Sequence, residues 1–278
     1  MNQNITKAIL PLAALSCVHG KMLAQDAARP NILYIMCDDH AMQAISAYGS
    51  PISKLAPTPN IDRLAQRGML FRNCFVENSL STPSRACLMT GLYSHQNGQR
   101  QLAEGIDTTK TFVPELMQKA GYETGIVGKW HMMCRPKGFD YYYILDGQGK
   151  YYNPNFCTTG NYGKYKQEMG YATTLTTQHA IEFLDHRQKD KPFCLYVHHK
   201  APHRNWFAEP KHIGMYDGVD FPLPKTFWDN YENRGSAAKT QKMNIEKDME
   251  LILDFKIPEL LDTSDVESMA SYAGLMGE

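Results

Sequence analysis

The sequence has no surplus of charge of either sign: 29 basic residues stand against 29 acidic ones. A dedicated nucleic-acid binder carries a basic excess or patch, so that class is set aside. The seven cysteines include no C-x-x-C pair, which removes zinc ribbons and thioredoxin-type redox sites. No apolar run approaches the ~20 residues that cross a bilayer, so no transmembrane segment is expected. Internal repeats and low-complexity tracts are missing too. With 43% apolar and 21% charged residues, the chain is neither disordered, collagen-like nor a coiled coil. Its 278 residues suffice for one large domain or two small ones, with a core that needs no staples.

What is present begins with a leader. Lys7 precedes an apolar run over residues 8–18, and small or polar residues follow to Gln25. This is the pattern of a secretory signal peptide over residues 1–24, with cleavage after Gly20 or Ala24. Pro11 and the small-residue tail weigh against a buried helix. Leu15-Ser16-Cys17 is similar to a lipobox, although Ala14 is a poor residue for its first position. Secretion or a periplasmic location, with lipid anchoring at Cys17 as an alternative, is the expectation. Export would permit disulfides. Cys37 and Cys194 sit in apolar runs and read as small core residues.

From residue 31 the pattern alternates. Asn31 to Cys37 is an unbroken apolar run, suited to a strand buried on both faces. A helix is expected from Asn60, as cap, to Gly68. A strand is expected over Met69-Leu70-Phe71 and Cys74-Phe75-Val76. Further helices are expected from Ser84, over residues 111–120 and over residues 174–186. Strands are expected over residues 123–127 and 192–197. Strands alternating with helices imply an α/β fold with a mainly parallel central sheet flanked by helices. Beyond Pro222 the chain is polar, with a helical stretch over residues 237–252.

Charged clusters follow directly after three of these strands: Asp38-Asp39, Lys129 with His131, and His198 to His203. Ligands of open α/β sheets bind outside the carboxyl ends of the strands, so the three clusters point to one site. Carboxylates suit a hard divalent cation. In Ser81-Thr82-Pro83-Ser84-Arg85, Pro83 suits a helix N-terminus, and Ser81 then lies at its positive end with Arg85 one turn on. Read locally, this is a capped helix with a surface arginine.

Read whole, S-T-P-S-R-A-C-L-M-T-G (residues 81–91) resembles the signature of the type I sulfatases. That family also carries an N-terminal D-D after a strand, a P-N-I-D-x-L-A segment (here Pro59 to Ala65) and G-K-W-H (here Gly128 to His131). All occur in the expected order, and the resemblance spans nearly all of residues 30–210. It implies an alkaline-phosphatase-like fold and hydrolysis of sulfate esters. It makes Ser81 the residue oxidised to formylglycine (3-oxoalanine) by a serine-acting maturase. One hydroxyl of the hydrated aldehyde attacks sulfur and the other expels sulfate, a route closed to plain serine.

The resemblance also distributes roles. Asp38, Asp39 and the matured Ser81 would hold Ca²⁺, and Arg85 the nucleophile's alkoxide. Lys129 would bind a sulfate oxygen. His131 would assist the diol, and His203 would contact sulfate and protonate the leaving oxygen. Arg204 and Trp206, in Lys200 to Trp206, would contact substrate. For His198 and His199, structural and substrate roles both stay open, and His40 matches no family ligand. The Tyr- and Gly-rich residues 138–154 and the stretch 200–206 look like the bacterial N-acetylglucosamine-6-sulfatase subgroup. The tyrosines serve equally as sugar platforms or as core.

One departure stands out. The family's second metal pair and late lysine find no match after His203, since Asp229-Asn230 comes too early and follows no buried strand. Residues 25–278 thus read as the N-terminal portion of a sulfatase catalytic domain, with the C-terminal subdomain absent and a sheet edge exposed. The alternatives are an inactive fragment or glycan-binding remnant, and a phosphatase or phosphodiesterase of the same superfamily.

Overall fold

The computed structural model describes residues 29–257 and Ser264. The chain divides into two compact units, Met1–Pro30 and Asn31–Glu278, and all described elements belong to the second. The expected signal peptide and Cys17 lie outside the described residues. Among the described residues, no helix is long and apolar enough to cross a membrane.

The apolar runs form a six-stranded sheet. Its strands are β1 (Ile32–Cys37), β2 (Glu123–Gly128), β3 (Tyr141–Leu145), β4 (Asn155–Thr158), β5 (Lys166–Gln167) and β6 (Phe193–His199), in the order β1-β6-β2-β3-β4-β5. The pairs β1–β6, β6–β2 and β2–β3 are parallel, and β4 and β5 close one side antiparallel. The mainly parallel α/β architecture expected from the alternation is therefore the one observed.

The helices are α1 (Pro59–Arg67), α2 (Ser81–Thr90), α3 (Ser94–Asn97), α4 (Val113–Lys119), α5 (Ala172–His186), α6 (Ser236–Thr240) and α7 (Ile245–Asp248). Two cores sandwich the sheet, as the two-residue period of a strand requires. Ile126, Cys194 and Tyr196 face one core, with Ala86 and Met89 of α2. Val127, Leu195 and Val197 face the other, against Ala180 and Phe183 of α5.

Five expectations are corrected. No strand forms over residues 69–76, where Met69, Phe71, Phe75 and Val76 are exposed: a strand needs a partner, and none pairs there. β1 is not buried on both faces, because among the described residues it lies at the sheet edge with β6 as its sole strand neighbour. Cys37 is therefore exposed, whereas Cys194 is buried. The stretch 237–252 breaks into two short helices, and Thr58 rather than Asn60 precedes the first turn of α1. None of the six described cysteines forms a disulfide.

Candidate active site

Three strand ends and one helix start converge. Asp38 and Asp39 follow β1, Lys129 and His131 follow β2, and His203 follows β6 by a short turn. Ser81 is the first residue of α2, at the positive end of the helix dipole. Gly128 makes the convergence feasible: its φ is +93°, and a Cβ there would lie 2.1 Å from the His198 carbonyl oxygen. Only glycine lets β2 come that close to β6 and still turn its next residue inward. The Lys129 N–H then donates to the same His198 oxygen at 2.7 Å.

A buried charge cluster occupies the centre. Asp38 is enclosed and accepts from Lys129 Nζ, with Arg85 Nη2 3.5 Å from the same oxygen. Arg85 Nη1 donates to the Lys129 carbonyl and to His198 Nδ1, each at 2.9 Å. An arginine only donates, so toward Arg85 the His198 Nδ1 is the acceptor, while the Lys129 carbonyl oxygen lies 3.2 Å from the same nitrogen. Burial pulls Lys129 down to about 8 even though the Asp38 carboxylate opposes that shift. Burial, joined by the Lys129 and Arg85 charges, pulls His131 down to about 4. His131 is therefore neutral at pH 7, and its Nδ1 lies 3.1 Å from Thr82 Oγ1.

Asp39, Ser81 and His203 form the accessible side. Asp38, Asp39, His40, Ser81, Ser84 and Arg85 line a cavity of about 350 Å³. His203 Nε2 stands 3.8 Å from Asp39 Oδ2. The oxygens of Asp38, Asp39 and Ser81 have the donor chemistry a hard cation takes, but three donors fall short of the 6–8 that Ca²⁺ uses. Among the described residues, no group of three or more His, Cys, Asp or Glu side chains is placed to hold a metal. The residues fit part of a Ca²⁺ shell.

The remaining candidates are held differently from the sequence-based expectation. Arg204 is clasped by Asp254, with Nε and Nη2 donating to its two oxygens at 2.5 Å, and Glu250 lies 3.5 Å away. Trp206 is 44% exposed and is available to a ligand. Tyr151 is buried: its hydroxyl donates to the His203 carbonyl at 2.5 Å, and Lys200 Nζ sits 4.7 Å over its ring. Tyr152 and Tyr171 likewise donate to the carbonyls of Ala208 and Phe207. These tyrosines buttress the loop that carries His203; the core reading is the one observed for Tyr151, while Tyr152 is half-buried and lines a cavity with Tyr171. His40, set aside in the sequence, lines the cavity, and its position directly after Asp39 was the available signal.

The strand ends thus join an enclosed Asp38–Lys129–Arg85 cluster to a helix-start serine and an accessible Asp39. A family model described as Sulfatase matches residues 30–278, and the chain belongs to the sulfatase family. An N-acetylglucosamine-6-O-sulfatase of Bacteroides thetaiotaomicron is 45% identical over 263 residues, covering 92% of this chain and 46% of the relative. A human N-acetylgalactosamine-6-sulfatase is 31% identical over 265 residues, covering 83% and 48%. A solved structure in complex with its substrate, D-glucosamine-2-N,6-O-disulfate, superposes with a TM-score of 0.78 at 43% identity, covering 89% of this chain and 52% of that one. The chain spans about half the length of the relatives it matches.

Proposed function

We propose that the chain supplies the nucleophile-bearing part of a sulfatase that removes the 6-sulfate from N-acetylglucosamine or a closely related amino sugar in a glycan. The observation that carries this reading is Ser81 at the start of α2, in one site with Arg85, Lys129 and the Asp38-Asp39 pair. The names of the similar proteins support the sugar and the 6-position. A leader-like residue 1–24 segment supports export to where such glycans are met.

In this reading Ser81 is matured to formylglycine, and Asp38 and Asp39 contribute to a Ca²⁺ shell. Bound Ca²⁺ would act as a Lewis acid toward the sulfate oxygens. Lys129 and Arg85 hold negative charge where it grows during S–O cleavage, and being enclosed they do so without solvent reorganisation. Neutral His131 orients the nucleophile's hydroxyl. His203, fixed through its backbone by Tyr151, delivers a proton to the leaving oxygen.

The test is mass spectrometry of the tryptic peptide ending at Arg85, after co-expression with a serine-type maturase, followed by sulfate release from N-acetylglucosamine 6-sulfate with Ca²⁺. Loss of two hydrogens in that peptide, and release that disappears in Ser81→Ala, is the expected result. A Ser81 that stays unmodified beside an active maturase overturns the reading.

A further inference from the structure

The turn that carries His203 and Trp206 is gripped from two sides. On one side stand the tyrosines: Tyr151 donates to the His203 carbonyl at 2.5 Å and Tyr171 to the Phe207 carbonyl at 2.7 Å. On the other stand residues 250–256, in a stretch beyond Pro222 that holds no catalytic motif. The planar fork of Arg204 reaches both oxygens of Asp254. Two residues on, Lys256 Nζ donates to the Asn205 carbonyl at 2.5 Å and lies 4.4 Å over the Phe207 ring. Trp206 is held through its N–H, which donates to the His203 carbonyl at 3.2 Å, and it stands at a φ of +55°. A bulky residue keeps that left-handed backbone only where its surroundings over-determine it.

Asp254 is the centre of the second grip. It is buried with its side chain fully enclosed, whereas the Arg204 side chain is 38% exposed. A buried carboxylate is costly unless it is paired. The oxygen that takes Arg204 Nη2 also accepts from the Glu250 N–H at 2.8 Å, so one group closes the 250–254 turn and holds the arginine. Buried Ile252 anchors that turn. Burial works to raise the Asp254 carboxyl, but the Arg204 guanidinium and the Glu250 N–H outweigh it and hold it below its usual range. An arginine whose fork already holds a carboxylate acts as a strut rather than as an anion clamp.

We propose that Asp254 is a positioning residue for the reaction. Through Arg204 it sets the turn that aims His203 at the leaving oxygen and offers the Trp206 ring to the sugar. What His203 and Trp206 do there rests on the sulfatase reading above, but the hold of Asp254 on their turn does not.

The test compares Asp254→Asn, Arg204→Gln and the double variant with the wild-type 278-residue chain, each co-expressed with a serine-type maturase. Asp229→Asn, which loosens the exposed pair with Arg234, is the control. Two substrates separate positioning from general damage. The 6-oxygen of N-acetylglucosamine 6-sulfate needs a proton to leave, and the phenolate of 4-nitrophenyl sulfate leaves without one. On the sugar sulfate, kcat should fall about tenfold or more in each variant and no further in the double. On the aryl sulfate it should stay within about twofold. Hydrogen exchange on the same proteins needs no turnover. Amides of residues 203–207 should exchange about tenfold or more faster in Asp254→Asn, with residues 123–128 and the control unchanged. Equal losses on both substrates, faster exchange throughout the chain, a silent Asp254→Asn beside a damaging Arg204→Gln, or unchanged exchange at 203–207 overturns the proposal. A wild type that releases sulfate from neither substrate tells against the sulfatase reading, and exchange at 203–207 then decides the role of Asp254.

Discussion

The same sheet ends in two unlike ways. At the β5 side the hairpin is clasped to α5: Glu168 meets His179 Nε2 at 2.9 Å, and Glu182 meets its other ring nitrogen at 2.9 Å. The Tyr143 ring stacks on that imidazole at 3.6 Å while its hydroxyl donates to Glu168. Burial and the Glu168 carboxylate both push the Tyr143 hydroxyl up, which keeps it a donor. At the β1 side the strand is longer and more apolar, and among the described residues it has neither an outer strand nor a covering helix. Yet the reactive residues gather there, at the carboxyl ends of β1, β6 and β2. Among the described residues, the edge with the least chemistry is finished by its own hairpin, and the edge with the most has β6 on one side only.

The sharpest way to break this contrast is to remove one carboxylate from each side. Asp38→Ala strips the enclosed Arg85 and Lys129 of their counter-charge. Loss of one partner from a buried ion pair costs about 3–5 kcal/mol. Glu168→Gln keeps a hydrogen-bonding group against His179 and Tyr143 and should cost about 1 kcal/mol. Urea unfolding without Ca²⁺ measures both. Equal costs would show that the charge cluster is not what holds the β1 end together.

Acid should act on the same end. His198 is fully enclosed, and burial together with the Arg85 charge holds it well below the ordinary histidine range. Below pH about 6.5 the unfolded chain takes up a proton that the folded chain refuses. The stability tied to this histidine is complete above that pH and is lost as pH falls, at up to about 1.4 kcal/mol per unit. Unfolding midpoints between pH 7.5 and 5.5 should decline, and His198→Gln should make the decline shallower, leaving the share that His131 contributes. A wild-type midpoint constant over that range removes His198 as the sensitive group.

Legibility in the sequence followed the range of the interactions. β2 and β6 were legible because each is a short apolar run closed by charge, and a buried parallel strand leaves that mark locally. Ser81, Arg85, Lys129 and the aspartates were legible because the motif fixes their spacing along the chain. Residues 69–76 look like a strand for the same local reasons, but pairing depends on a neighbour that local pattern cannot supply. The Arg204–Asp254 clasp spans 50 residues and ends in a segment with no periodicity, so nothing near Arg204 announces it. His198 reads as one of several histidines after a strand until Gly128 brings β2 against it.

The smallest predicted effect is the one that sharpens the contrast most. Ile35 and Val197 are register partners on one face of the sheet, one half exposed and the other buried. Ile35→Lys places its charge in water and should change the stability of the 278-residue chain by less than about 0.5 kcal/mol. Val197→Lys, across a single strand spacing, drives an unpaired ammonium against Phe183 and Ala180 and should cost about 3 kcal/mol or more. The side-chain change differs only by a methylene, so propensity cannot separate the two sites. What separates them is whether a helix lies above. A lysine at 35 that destabilised the chain alone by several kcal/mol would mean that β1 is already covered.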